Sequence, residues 1–272
     1  KNVAFDNAQA PAPVNVDVTG VSLSGTDAIN YTVAATGSTS ATITPRALTI
    51  TYTGVNKVYD GDTTAEVTTS DDRVSGDTFV INRTASYADK NVAGGKTITV
   101  TGVSLSDPVG NGTVDAANYT VVSTGSTTAN ITPRVLNVTY TGDDRVYDGG
   151  TTATVTTTDD RVAGDVLTIS RTASFADKNV GTAKTVSVSG VSLSSTDANN
   201  YSVVTTGTTT ANITPRALTV VYTGVDKVYD GLLDASVTTS LTTANGYVNG
   251  DVLTVNRTAN FVDKNVAYLN SS

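Results

Sequence analysis

The sequence predicts an all-β protein, an elongated tandem array of small β-sandwich-like modules, Ig-like or β-grasp-like in plan. Three observations carry this expectation. Lys57-Val58-Tyr59-Asp60-Gly61 returns as Arg145-Val146-Tyr147-Asp148-Gly149 and again as Lys227-Val228-Tyr229-Asp230-Gly231, with the tyrosines 88 and 82 residues apart (147 − 59 and 229 − 147). Repetition at a fixed period marks an array of one structural unit. Apolar residues within each unit alternate with threonine at a period of two, the mark of a half-buried antiparallel strand. The chain is also rich in Thr, Val, Asn, Asp and Gly, which favour strands and the turns between them.

The period divides the chain into residues 1–46, the C-terminal half of a module; 47–134 and 135–216, two complete modules; and 217–272, an N-terminal half. Modules of this size exceed the roughly 40 residues below which disulfides or metals are usually needed to hold a fold. That fits a chain with no cysteine. Within a module the first strand carries Leu48, Ile50 and Tyr52, repeated as Leu136, Val138 and Tyr140 and as Leu218, Val220 and Tyr222. A second carries Phe79, Ile81 and Tyr87, matched by Leu167, Ile169 and Phe175 and by Leu253, Val255 and Phe261. A third, Lys96 to Ser106, shifts its apolar phase at Gly102, as do its copies at Gly190 and Gly20; a glycine at a phase change predicts a bulge or bend. Shorter strands near Val58, Val67, Tyr119 and Thr128 bring the total to about six or seven per module, which suits a small sandwich. The best helical candidate is short, Ala85 to Asn91. Asp-Gly at 60–61, 148–149 and 230–231 predicts tight turns.

The net charge is −8 and the sequence pI about 4.4, with no stripe of Lys and Arg, so nucleic acid is excluded as a partner. No apolar run approaches the ~18 residues of a membrane-spanning helix, so no membrane insertion is expected. The chain has no His and no Cys, which removes the usual general base and the thiol nucleophile; no catalytic residues are expected and the protein reads as a non-enzyme. Aspartates in turns serve local backbone hydrogen bonds rather than paired-carboxylate hydrolysis. No cofactor is expected. Calcium is the one ionic candidate, at Asp60-Gly61-Asp62 and Asp71-Asp72, but Asp62 becomes Gly150 and Leu232, which argues for plain turns.

Arg83, Arg171 and Arg257 lie in the apolar phase of their strand. An inward arginine must be paired, and the nearest partner in the repeat is the aspartate of Tyr-Asp-Gly. The alternative is an edge arginine whose stem covers apolar surface while its head stays in water. Asn-x-Ser/Thr recurs, at Asn82, Asn111 and Asn130 among others, as acceptors for glycosylation or as a by-product of a threonine-rich composition.

These blocks resemble the YDG-type repeat of large bacterial surface proteins. The resemblance rests on Lys-Val-Tyr-Asp-Gly, Ala-Asp-Lys-Asn-Val at 88–92 and 176–180, Gly-Val-Ser-Leu-Ser at 20–24, 102–106 and 190–194, Asn-Tyr, and the closing Ile-Thr-Pro-Arg. It covers essentially the whole chain. Such repeats occur in filamentous-haemagglutinin-like exoproteins and other adhesins. The resemblance therefore implies an extracellular or bacterial cell-surface location and a stalk that spaces a binding domain from the cell. Asp89-Lys90-Asn91 has the residue types of the intramolecular isopeptide bonds of such adhesins, but adjacent residues cannot bond across strands, so a turn is expected.

The expected partners are flanking modules of the same chain. Lys1-Asn2-Val3-Ala4 and Lys264-Asn265-Val266-Ala267 share one phase, so the chain also fits a window cut from a longer array, or head-to-tail copies that complete each other's half-modules. A glycan or host surface protein held at loop tips is the remaining reading.

Overall fold

The computed structural model describes residues 12–110, 112 and 114–267. Lys1–Ala4 and Asn111 lie outside them. The structure is all-β, with only short 3-10 turns besides strands, and the chain forms two compact units, Lys1–Pro133 and Arg134–Ser272.

The first unit opens with a hairpin of β1 (Pro13–Thr19) and β2 (Thr36–Thr42). A complete module follows: β3 (Arg46–Ala47), β4 (Ile50–Gly54), β5 (Lys57–Val58), β6 (Val67–Asp71), β7 (Val80–Tyr87), β8 (Ala93–Ser106), β9 (Tyr119–Thr120) and β10 (Thr124–Thr132). β8 is the spine, antiparallel to β7 on one side and to β10 on the other, and β5 pairs parallel with the end of β10. A second layer is the β4–β6 hairpin, and β3 pairs parallel with β9. Ile98 and Val100 of β8 are fully buried, and Tyr59, Val67, Tyr87 and Ile131 of the same module are buried as well. The period-two pattern therefore does what alternation dictates, apolar side chains inward and threonines outward.

The second unit repeats this plan with β11 (Arg134–Leu136), β12 (Val138–Gly142), β13 (Arg145–Val146), β14 (Val155–Asp159), β15 (Thr168–Phe175), β16 (Gly181–Ser194), β17 (Tyr201–Val203) and β18 (Gly207–Thr214). Pairing is equivalent strand for strand, β13–β18–β16–β15 in one sheet, β12–β14 in the other, and β11 beside β17. Val155, Phe175, Val186, Val188, Val191, Ala211 and Ile213 form one buried cluster. Among the described residues of the half-module that follows, the paired strands are the hairpin of β19 (Val221–Val225) and β20 (Ser236–Ser240).

The glycine phase change is a bulge, as the sequence predicts. Along β7, Asn82 and Thr84 face Ser104 and Thr101 of β8, so β8 carries one extra residue there, and Gly102 takes φ +64°. Gly190 repeats it at φ +63° and Gly20 keeps the same conformation at φ +66°. The short helical candidate at Ala85 to Asn91 is instead the end of β7 followed by a turn, because Tyr87 belongs to the buried face of the sheet.

Gly54 and Gly142 close the two layers. A Cβ on either would stand 2.6 Å from the carbonyl oxygen of Thr128 or Thr210. Gly142→Ala is expected to cost about 1–3 kcal/mol by overpacking, read as a lowered denaturant midpoint of the second unit. A second bulge, at Gly95 in the first module (φ +62°), falls on Ala183 in the second (φ +48°). A left-handed conformation is strained for a residue with a Cβ, so Ala183→Gly is expected to stabilise that module by about 0.5–1 kcal/mol; an unchanged or lowered midpoint would show that Ala183 carries no strain.

Candidate functional site: the Tyr-Asp-Gly turn and the junction between repeats

The repeated Tyr-Asp-Gly sits directly after the short parallel strand. Tyr59 and Tyr147 donate their backbone N–H groups to Thr132 and Thr214 at 2.9 Å. The next residue turns the chain: Asp60, Asp148 and Asp230 accept the N–H two residues on, of Asp62, Gly150 and Leu232, and Gly61, Gly149 and Gly231 have φ between +79° and +88°. Aspartate is chosen for that side-chain turn and glycine for its positive φ.

The basic residue that opens the motif closes over this turn. Lys57 Nζ donates to Asp60 and Asp62 at 2.8 and 2.9 Å and lies 5.8 Å from the Tyr87 ring centre. Arg145 holds Asp148 and faces Phe175, and Lys227 holds Asp230 and faces Phe261. Partial burial of the Lys57 ammonium works against its charge, yet the hydrogen bonds to Asp60 and Asp62 prevail and raise its pKa.

Arg83, Arg171 and Arg257 do not pair with the Tyr-Asp-Gly aspartates, contrary to the sequence expectation. Those carboxylates are already held by the nearer cation three residues upstream. Arg83 instead donates to two carbonyls, Ile81 on its own strand at 3.1 Å and Val67 on β6 at 2.5 Å. Arg171 does the same with Ile169 and Val155, and Arg257 with Val255 and Val237. In the complete modules the guanidinium is half-buried and ties the edge of one sheet to the edge of the other. The guanidinium thus follows neither sequence alternative in full: it lies on the inward face at a sheet edge, and backbone carbonyls, not a carboxylate or open water, hold its head in the complete modules.

A second fork escaped the sequence reading. Arg73 binds Asp71 through Nε and a terminal nitrogen at 2.8 and 2.7 Å, donates to the Phe79 carbonyl and stacks 3.8 Å from the Phe79 ring centre. Arg161 repeats this with Asp159 and the Leu167 carbonyl. The signal was Asp-Asp-Arg-Val, identical at 71–74 and 159–162. The remaining aspartate of that block, Asp72 or Asp160, accepts the backbone N–H of Thr49 or Asn137 and pairs with Arg46 or Arg134. Asp89 and Asp177 make the expected turn with Asn91 and Asn179 and accept Lys96 and Lys184.

The Gly-Asp turn that follows Asp-Asp-Arg-Val completes the site. Asp77 and Asp165 each close a turn back to Val74 and Val162 and accept a tyrosine hydroxyl from the Asn-Tyr block of their own module, Tyr119 at 2.5 Å and Tyr201 at 2.6 Å. The hydrogen bond to Asp77 raises the Tyr119 pKa. In the half-module at 217–267, Asp251 closes the same turn onto Val248. Its carboxylate is reached by the preceding module: Tyr147 Oη donates to Asp251 Oδ1 at 2.7 Å and Lys178 Nζ to the same oxygen at 2.8 Å. Gly149 faces Val248 so closely that a Cβ would stand 2.6 Å from Val248 Cγ1. Tyr147, Gly149 and Lys178 thus form a seat for the turn at 248–251.

No group of three or more Asp, Glu, His or Cys side chains is arranged to hold a metal among the described residues. No helix among them is long and apolar enough to cross a membrane. What the geometry presents is a set of structural clasps on a repeated β framework, and the class it defines is that of tandem β-repeat proteins. Three stretches, residues 44–129, 132–211 and 214–271, match the YDG domain family model, and the chain belongs to that family. No curated protein matches the chain.

The clasps set the pH response. Hydrogen bonds from Arg73, Arg161, Lys184 and Lys178 hold the pKa values of Asp71, Asp159, Asp177 and Asp251 below the ordinary 3.8. A carboxylate with a lowered folded-state pKa adds stability above its unfolded value and loses it as pH falls through the folded value. With no histidine in the chain, no side chain of unperturbed pKa titrates in the neutral range. The melting temperature is therefore expected to be flat from about pH 5 to 8 and to drop below the ordinary carboxylate pKa of 3.8. Thermal scans across pH check this, and a melting temperature unchanged at pH 2 would contradict it.

Proposed function

We propose that the chain is a run of structural spacer repeats in the stalk of a secreted or cell-surface bacterial adhesin, holding a binding domain away from the cell. The observation that carries the reading is the shared plan of the two complete modules: strand pairing is equivalent throughout, and Ile98, Val100 and Ile131 of one and Val186, Val188 and Ile213 of the other are buried at the same places around the spine strand. Self-contained units in series make length a matter of copy number. The polar clasps described above serve stability and connection, and the outward threonines and net charge of −8 favour a solvated surface. Ile-Thr-Pro-Arg places a φ-restricted proline where one module hands over to the next. The test is access on intact producing cells. Antibodies to residues 134–216 are expected to bind without lysis, and deleting one repeat from the parent protein to shorten the reach of its distal end; labelling only after lysis would overturn the reading.

A second reading is favoured by one specific observation. β1 and β2 pair in the register of β8 and β10: Val16 faces Thr39 and Val18 faces Gly37, as Ile98 faces Thr127 and Val100 faces Gly125. Yet Val16 and Val18 are 40% and 41% exposed where Ile98 and Val100 are fully buried. Tyr222, Leu253 and Phe261 of the 217–267 half-module are exposed too. A hairpin of the β1–β2 kind is what covers such a face, so copies of the chain can complete one another head to tail as a fibre. Sedimentation over a concentration series is expected to show growing species on this reading, and a strictly monomeric chain removes it. A binding module for glycan or a host protein is the remaining alternative, and a glycan array probed with the whole chain addresses its glycan form.

A further inference from the structure

Every complete module offers a Gly-Asp turn whose carboxylate is bound on one oxygen by its own Asn-Tyr tyrosine: Asp77 Oδ2 by Tyr119 and Asp165 Oδ2 by Tyr201. At 217–267 the equivalent carboxylate is bound on the other oxygen, Asp251 Oδ1, by Tyr147 and Lys178 of the preceding module. The two modes use different oxygens and do not compete. The residue types that make the second mode recur in the repeat, Tyr59 and Lys90 at the phase of Tyr147 and Lys178, and Asp77 and Asp165 at the phase of Asp251.

We propose that the Gly-Asp turn at 248–251 is a joint that fixes the half-module on the module before it, with Asp251 Oδ1 seated between the Tyr-Asp-Gly tyrosine Tyr147 and the Asp-Lys-Asn lysine Lys178. The Tyr147–Gly149 end of the second complete module is then an interaction surface, and its partner is the turn at 248–251. Chemistry and shape agree on this partner. The seat offers a phenol hydroxyl and an ammonium to a single oxygen, a charge-assisted arrangement that suits a carboxylate. Lys178 also lies 5.8 Å from the Tyr147 ring centre, so the cation is held over the ring beside the oxygen it binds. The glycine of Tyr-Asp-Gly leaves room for the valine that precedes the turn, and Tyr247 fixes the turn from within by donating to the Asp251 carbonyl at 2.5 Å. The half-module at 217–267 joins the preceding module through this seat while most of its own apolar residues stay exposed.

The inference goes beyond the stalk reading and is tested without reference to the cell. The chain has no native cysteine, so Thr208→Cys with Ser240→Cys places one spin label on each side of the junction, both at exposed strand positions. Pulsed electron–electron distance measurement on the full chain is expected to give a narrow distribution. Lys178→Gln and Tyr147→Phe, singly and together, are expected to broaden it, by about twofold for the pair, because connected domains without a firm interface move relative to each other. Lys178→Arg is expected to keep most of the narrow distribution by restoring the charge. The Lys178 side chain is 44% exposed, so Lys178→Gln is expected to leave the module folded, which circular dichroism checks. An unchanged distribution in folded Lys178→Gln and Tyr147→Phe would overturn the joint, and so would a broad distribution in the unsubstituted junction.

Discussion

Closure of the module by its last strand is the constraint on which the rest of this structure depends. β10 and β18 arrive at the end of their modules and pair with the central spine on one side and the first strand of the large sheet on the other. The β4–β6 or β12–β14 hairpin then rests on that strand at a glycine where no side chain fits. Take the last strand away and neither the spine nor the hairpin has a full set of neighbours. The half-module at 217–267 shows this: Tyr229 is 58% exposed, whereas its counterpart Tyr59 is 1% exposed. The two motifs are identical in sequence; Tyr147, which has its closing strand and touches the turn at 248–251, lies between them in exposure. Hydrophobic burial of roughly 1.5–3 kcal/mol per large side chain is therefore available only to a module that has both halves.

Most of this plan was readable from the residues. Period-two alternation placed Leu48, Phe79 and Ile98 on inner faces, and all three are buried. The phase slip at Gly102 announced a bulge, because only an extra residue restores the inward set beyond it. Strand partners were not readable. Alternation says which face a residue joins and is silent on which neighbour it meets, so the parallel pairs β3–β9 and β5–β10 could not be inferred. The arginine partner failed for a related reason. Phase showed that Arg83 points inward, but its acceptor is the carbonyl of Val67, and a backbone carbonyl leaves no trace in composition.

The site was legible as motif and not as geometry. Tyr-Asp-Gly was visible as a turn, and its aspartate and glycine do what those residue types do in turns. That its tyrosine serves a neighbour could not be read, because Asp251 lies 104 residues from Tyr147 and belongs to a different repeat. The repeat itself held the missing information. Tyr-Asp-Gly is followed by Asp-Asp-Arg-Val in both complete modules and by Gly-Asp in all three copies, and blocks repeated outside the apolar pattern mark polar fastenings rather than core. Such fastenings are short-range and charged, which is why acid rather than neutral pH bears on them.

The pairing of β5 with β10 has a mechanical consequence. Val58 near the start of the module and Thr132 at its end lie side by side, with their strands parallel. A chain pulled from its two ends draws such strands in opposite directions along their length. The bonds between them are then loaded together in shear, not peeled one after another. A repeat of this topology transmits tension across its own closing seam, and it resists extension until that seam slips as a whole.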